Sequence, residues 1–231
     1  MNIFSFLLWD FNWGLYKWDF QKCKIYFSFC IHYLSMPFQL HIHINSLLLQ
    51  TNKKDMRKLK ITELNRLTPE AFKDSKKIPL IVVLDHVRSL NNVGSVFRTS
   101  DAFRVESIYL CGITACPPHA EIHKTALWAE DTVDWVYFDD TLEAVDKLKQ
   151  EGYVVCAVEQ AEGSTMLDKL ELDKSKKYAV IMGNEVKGVQ QSVVDNCDMC
   201  IEIPQYGTKH SLNVSVTTGI IIWDFFKQLS E

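Results

Sequence analysis

YAVIMGNEVKGVQQSVVDNCDMCIEIPQYGTKHSLNVSV, residues Tyr178–Val216, holds two units of one design. Each is a short apolar run, then a polar turn, then the beginning of a helix. In the first, Tyr178–Met182 carries no charge and has the length and composition of a buried strand. Gly183-Asn184-Glu185 follows at once, with Gly188 five residues after Gly183. In the second, Cys200–Ile203 reads as a strand ended by Pro204. Gln205–His210 is a polar loop, and Ser211-Leu212-Asn213 opens an apolar helix that ends near Phe226. Each unit brings backbone amides and small side chains to the carboxyl end of a strand, the place where open α/β sheets bind ligands. Gly183 permits close backbone approach, and a carboxylate at Glu185 is favoured at the mouth of a helix. The same residues also suit a plain strand–turn–helix repeat in which Asn and Ser act as caps.

Upstream the pattern repeats. Leu80–Leu84 is a strand, Asp85–Asn92 a polar loop and Val93–Phe103 a helix. Ser107–Cys111 is a strand, Glu121–Glu130 a short helix and Trp135–Phe138 a strand. Thr141–Glu151 is an amphipathic helix with Leu142, Val145 and Leu148 on one face. Tyr153–Val158 is a further strand. About six strands alternating with helices imply an α/β fold, a mainly parallel sheet with helices on both faces.

The 231 residues suit one such domain with an appendage, and 47% hydrophobic content supplies a core. A net charge of −4 gives no global attraction to nucleic acid or membrane, so a nucleic-acid partner needs a local basic patch or help from a second subunit. Seven cysteines in mostly apolar runs suggest reduced, buried thiols and a cytoplasmic protein. Cys197-Asp-Met-Cys200 has C-x-x-C spacing but no second pair at zinc-finger spacing, so packing is favoured over a metal. No metal is expected. Residues 1–55 differ from the rest: they contain no Ala, Val, Glu or Arg and 13 of the 27 aromatic residues. Their apolar runs are interrupted by Asp10 and Asp19, and Pro37 with three nearby histidines opposes a membrane span. This segment reads as a non-native or disordered extension, with the natural start at Met56; a membrane-anchoring extension is the alternative. Residues 56–78 read as a short polar arm, with Thr68 capping a helix and Pro69 in its first turn. Lys53, Lys54, Arg57, Lys58 and Lys60 form a basic cluster, either a solvated face or a phosphate contact. Residues 79–231 form the main domain.

The first strand leads into Asn91-Asn92-Val93-Gly94-Ser95-Val96-Phe97-Arg98. Arg98 stands among Val96, Phe97 and Phe103, and a guanidinium there needs a partner. Asp101 and Glu185 are the candidates for an internal pair. Residues 91–98, Met182–Val189 and the run from Ile203 through Ser211-Leu212-Asn213-Val214-Ser215-Val216 together resemble the three motifs of the SpoU (TrmH) RNA 2′-O-ribose methyltransferases, in their order and spacing. These belong to the knotted SPOUT superfamily. The resemblance covers about residues 79–227.

That resemblance implies a deep trefoil knot at the carboxyl end, with the final helix, Leu212–Phe226, threaded through a preceding loop. It implies S-adenosylmethionine as cofactor, a homodimer, and an active site near the subunit interface. Carried over, the cofactor-binding residues are Gly183, Asn184, Ile203, Ser211 and Leu212, with Glu159–Gly163 as another wall. The catalytic set is Asn92, Arg98, Glu185, Ser211 and Asn213. Guanidinium groups hold their proton tightly, so binding the phosphate beside the target ribose is the safer role for Arg98, and its part in proton transfer stays open. RNA is the implied partner, tRNA favoured over rRNA because no separate RNA-binding domain precedes the motifs. Lys124, Lys187, Lys209 and His210 could meet it. His119 and His123, four apart, could contact RNA or form an interface pair. A non-catalytic RNA-binding or assembly factor on the same fold is the rival reading. A nucleotide-dependent oxidoreductase is excluded because no G-x-G-x-x-G follows the first strand.

Overall fold

The computed structural model describes residues 56–230. The extension read over residues 1–55, with Lys53 and Lys54 of the basic cluster, lies outside the described residues. Two units are distinguished, divided after Leu64. In the described part of the first, Ile61–Glu63 makes a single 3₁₀ turn. There the Arg57 guanidinium grips both oxygens of Glu63, at 2.8 and 3.0 Å, so one member of the basic cluster is already paired. Residues 65–78, expected as part of a short arm, lie in the second unit. Thr68 caps helix α1 (Pro69–Asp74), and Phe72 of α1 is buried in the core.

The second unit is built on one seven-stranded sheet: β1 (Ile78–Asp85), β2 (Val105–Cys111), β3 (Trp135–Phe138), β4 (Tyr153–Val158), β5 (Thr165–Met166), β6 (Lys177–Met182) and β7 (Met199–Glu202). The order is β3-β2-β1-β6-β4-β7-β5, and every adjacent pair is parallel. The central strands are apolar between their ends because both faces are covered. Leu80, Val82 and Leu84 of β1 join one core with Val93, Val96 and Phe97 of α2 (Leu90–Ala102), Ile122 of α3 (Ala120–Ala126), and Ile221, Ile222 and Phe225 of α6 (Val214–Leu229). Ile81 and Val83 face the other side. There they meet Ala144, Val145 and Leu148 of α4 (Thr141–Gln150) and Val193 of α5 (Gln191–Val194). The strand period of two thus divides one hydrophobic run between two cores.

Four sequence-based expectations are corrected. The helix expected over Glu121–Glu130 stops at Ala126: Leu127 and Trp128 take left-handed backbone (φ 53° and 74°), and a 3₁₀ turn follows. No glycine or asparagine marks that stop, so nothing local announced it. The helix expected directly after Gly183 is instead a turn closed by paired hydrogen bonds between Asn184 and Gly188 (3.0 and 2.9 Å), and α5 is a single later turn. The last helix begins at Val214, not Leu212, because Asn213 caps it, and it runs to Leu229. A seventh strand, β5, is two residues long and pairs only at the sheet edge.

Between the two cores, Asp85 at the end of β1 is fully buried. It accepts from the Thr141 hydroxyl (2.6 Å) and from both the amide and the side chain of Gln190 (3.0 Å each). This one carboxylate ties β1 to the first turn of α4 and to the segment before α5. Replacing Asp85 by Ala strands those donors in the interior. It is expected to cost about 3 kcal/mol, the combined loss of charged hydrogen bonds and their orphaned partners, read as a lower denaturation midpoint in urea at unchanged slope.

Candidate active site

A cleft of about 730 Å³ opens at the carboxyl ends of β4, β6 and β7. Its walls are the residues that immediately follow each of those strands. The size is in the range that holds a nucleotide-sized ligand. Gly183, Asn184, Glu185, Ile203, Ser211, Leu212 and Asn213 all line it. Val158, Met182, Ile201 and Leu212 supply apolar surface.

Close backbone approach explains Gly183. A Cβ there would lie 2.1 Å from the carbonyl carbon of Gly188 and 2.1 Å from the Val189 nitrogen. The turn Asn184–Gly188 therefore folds flat over Gly183. Asn184 holds it from inside: its Oδ1 accepts from the Val186 and Lys187 amides (2.9 and 3.1 Å), and its Nδ2 donates to the His86 carbonyl (2.7 Å).

The turn delivers Glu185 to a helix mouth, but not the one its own sequence suggested. The Glu185 carboxylate faces the amino end of α2, ninety-odd residues earlier. It accepts from the Arg88 and Ser89 amides at 2.9 Å each and from Asn92 Nδ2 at 3.0 Å. Asn92, in the first turn of α2, is buried, and its Oδ1 accepts from Asn213 Nδ2 at 3.2 Å. Asn213 Oδ1 then caps α6, accepting from the Ser215 amide at 2.9 Å. Glu185, Asn92 and Asn213 thus form one hydrogen-bonded chain across three distant segments, joining the amino ends of α2 and α6. Asn92 does not line the cleft; it stands behind Glu185 and Asn213 and orients both.

Burial raises the Glu185 pKa, but the amides of Arg88 and Ser89 and the Asn92 side chain more than offset it, so the net shift is downward. A depressed carboxyl contributes stability that is present above its unfolded value, near 4.5, and is lost as the pH falls through the folded one. The gap in melting temperature between the parent and Glu185→Gln is expected to be full at neutral pH and to close on acidification below that value. A gap independent of pH between 7 and 3 would show that the carboxylate charge is not what holds the turn to α2.

Arg98 departs from expectation. It is exposed, with no ion pair or hydrogen bond among the described residues. Asp101 is engaged by the Thr132 hydroxyl (2.6 Å) and Glu185 by α2, so neither expected partner holds it. Its neighbours Val96 and Phe97 are buried, as apolar residues should be, whereas Arg98 emerges at the solvent edge of the same helix. The histidines are not paired either. His119 Nδ1 caps α3 by accepting from the Glu121 amide (3.1 Å), and His123 Nδ1 meets Glu130 Oε1 at 2.5 Å. The C-x-x-C thiols pack: Cys197 donates to the Val193 carbonyl and Cys200 to the Glu159 carbonyl. Burial pushes the Cys197 thiol up to about 12, so it stays protonated. Among the described residues no cluster of His, Cys, Asp or Glu is placed to hold a metal ion, and no helix is long and apolar enough to cross a membrane.

The roles of three residues were not legible in the sequence. Asp85 stood in plain view at the end of the first strand, but burial was needed to distinguish it from a loop residue. Glu159 and Gln160 were placed in a wall without roles. Glu159 Oε2 accepts from the Val189 amide (3.0 Å), and Gln160 Nε2 donates to the His210 carbonyl (2.6 Å). The dipeptide after β4 therefore clamps the loops after β6 and β7 from one side.

A parallel open sheet whose ligand cleft is made by three strand-end loops defines an α/β protein of the nucleotide- or cofactor-binding kind. Residues 79–223 match the SpoU rRNA Methylase family, and the chain belongs to it. It is 28% identical over 159 residues to the 23S rRNA (guanosine-2′-O-)-methyltransferase RlmB of Pseudomonas aeruginosa, covering 69% of this chain and 63% of that enzyme. The chain thus spans less than two thirds of that relative's length. An AdoMet-bound rRNA methyltransferase from Sinorhizobium meliloti superposes with a TM-score of 0.62 at 28% identity, over 71% of this chain and 62% of that one. The TrmH/SpoU tRNA modifying enzyme of A. aeolicus superposes with a TM-score of 0.61 at 26% identity, over 69% and 81%.

Proposed function

We propose that this chain transfers a methyl group from S-adenosylmethionine to a ribose 2′-hydroxyl of RNA, with tRNA as the substrate. The observation that carries the reading is the Glu185–Asn92–Asn213 chain, in which residues of all three motifs meet, Glu185 and Asn213 on the cleft wall and Asn92 behind them. The cleft suits the cofactor. Its apolar lining accommodates an adenine, and the carboxylates of Glu159, Glu185 and Glu202 on its walls favour a cationic ligand. The bound cofactor would supply an electrophilic methyl carbon; the protein supplies alignment.

In this reading, Ser211 and Leu212 with Gly183, Asn184 and Ile203 hold the cofactor. Asn213 and Asn92 orient the groups at the methyl end, and Glu185 keeps the turn locked to α2. Arg98, exposed and without a partner among the described residues, would grip the phosphate next to the target ribose. Several features support a knotted homodimer. The chain leaves β7 near one sheet edge, yet α6 packs against α2 and β1 across the sheet. Val216 and Trp223 of α6 are 51% and 49% exposed, and Trp223 belongs to an aromatic group with Phe103 and Phe226, centroids 5.2–6.0 Å apart, a surface suited to a second copy. Residues 79–231 would carry the reaction, with the preceding segment as an arm.

The choice of tRNA follows the A. aeolicus neighbour, a tRNA modifying enzyme at 26% identity. The name of the P. aeruginosa relative favours the second reading, rRNA. Incubation with labelled S-adenosylmethionine and either total tRNA or rRNA from a strain lacking this gene, followed by nucleoside analysis, separates them. A 2′-O-methylnucleoside in tRNA is expected. Label in rRNA alone overturns the substrate, and label in neither overturns the reaction.

A further inference from the structure

We infer that Glu159 is a cofactor-binding residue whose carboxylate accepts the two hydroxyls of the adenosine ribose. The inference rests on the function proposed above and assigns one subsite within it.

Three glutamates line the cleft, and they are not equivalent. Glu185 is spent on α2: its two oxygens carry three N–H donors. Glu202 Oε2 accepts from the Ser164 hydroxyl at 2.7 Å, drawn toward the edge strand side. Glu159 is different. Each of its oxygens takes a single backbone amide, Oε1 from Gln160 (2.9 Å) and Oε2 from Val189 (3.0 Å). A carboxylate has about four acceptor positions, so one remains on each oxygen. No cation pairs with it among the described residues.

The carboxylate is also built in. The Glu159 amide donates to the Ile201 carbonyl (3.1 Å), and its carbonyl accepts from the Cys200 thiol. Both backbone groups are thereby fixed to β7. Gly188, at φ +68°, leaves the space the carboxylate occupies: a Cβ there would stand 2.1 Å from Glu159 Oε2. Amides from two different loops then hold the two oxygens in one orientation at the cleft wall. A rigid carboxylate with one open acceptor position per oxygen is complementary to a vicinal diol. A carboxylate accepting from ribose hydroxyls is a recurrent solution at the strand ends of open α/β sheets. The apolar side chains of Val158, Met182, Ile201 and Leu212 stand on the same cleft and would take the base.

The test is direct binding by titration calorimetry of S-adenosylhomocysteine and of its 2′-deoxy and 3′-deoxy counterparts to the full chain, the Glu159→Gln variant and the Glu159→Asp variant. For the parent, each deoxy ligand is expected to bind about tenfold or more weakly, the usual worth of a hydrogen bond to a charged acceptor. For both variants, the loss is expected to be largest with S-adenosylhomocysteine and smaller with each deoxy ligand, which keeps one of the two hydroxyls, so the preference narrows. Thermal melts show that the variants fold. Equal binding of all three ligands by the parent overturns the inference without needing any variant. An equal loss for all three ligands in both variants overturns it too, since that marks a purely structural carboxylate. Failure of the parent to bind S-adenosylhomocysteine at all overturns the functional reading itself, which is a different result from either.

Discussion

Arg98→Ala is expected to reduce methyl transfer to RNA by on the order of a hundredfold to a thousandfold, or below detection. That is the scale lost when one preorganised charged donor is removed from a transition state. Binding of S-adenosylmethionine is expected to stay unchanged, because Arg98 does not line the cleft. The fold is expected to tolerate the change as well: the side chain is exposed and makes no hydrogen bond or ion pair among the described residues, and such surface substitutions usually shift stability by less than about 0.5 kcal/mol. This separation of effects makes the experiment decisive. A buried structural arginine would lower the melting temperature, and a cofactor ligand would weaken the cofactor; a substrate clamp lowers turnover alone. Arg98→Lys keeps the charge but not the planar fork, so it is expected to recover only part of the activity. Undiminished turnover by the Ala variant would remove Arg98 from the site.

Gly183→Ala is expected to give the largest structural effect of any single methyl group in the cleft. The new Cβ would meet backbone, not flexible side chain, at 2.1 Å on two atoms and 2.6 Å from the Gly188 carbonyl oxygen. The Asn184–Gly188 turn must lift, and Glu185 lifts with it away from the amides of Arg88 and Ser89. Overpacking of this kind costs about 3 kcal/mol, which for a chain of this size lowers the melting temperature by about 6–12 °C. Loss of S-adenosylmethionine binding is expected in the same variant, since the turn is a wall of the cleft. Gly207→Ala is the control: it lies in the loop after β7, and an added Cβ meets nothing within 4 Å. Calorimetry and thermal melts of the two variants side by side check the claim. Equal behaviour of both would mean that the turn over Gly183 is not closed as described.

Several elements were legible before any coordinates. The strands Tyr153–Val158 and Tyr178–Met182 are where charge-free apolar runs placed them, because a strand buried on both faces cannot admit an unpaired charge; Trp135–Phe138, a half-exposed edge strand, was marked by its aromatic and β-branched residues instead. The elements that went astray did so for local reasons. Helix α3 ends without a glycine, at two left-handed residues that only tertiary packing can hold. Strand β5 is two residues long, below any period. The start of α6 depended on whether Asn213 would cap or continue the helix, and its side-chain bonds to Ser215 and Val216 decided for the cap.

Among the site residues, the sequence by itself determined identity and spacing: a glycine, an asparagine and a glutamate after one apolar strand, a serine and an asparagine after another, an asparagine and an arginine on an earlier helix. Tertiary structure decided what those groups do to one another. Insertion of β6 between β1 and β4 carries Glu185 to the amino end of α2. The return of α6 to α2 brings Asn213 to Asn92, 121 residues apart. It also decided that Arg98 emerges at the solvent edge and that Glu159 keeps two acceptor positions open. The physical reason is range. Propensity, period and charge act over a few residues and are written in the chain. The partner of a hydrogen bond is set by strand order and packing, which are settled only when all strands are in place.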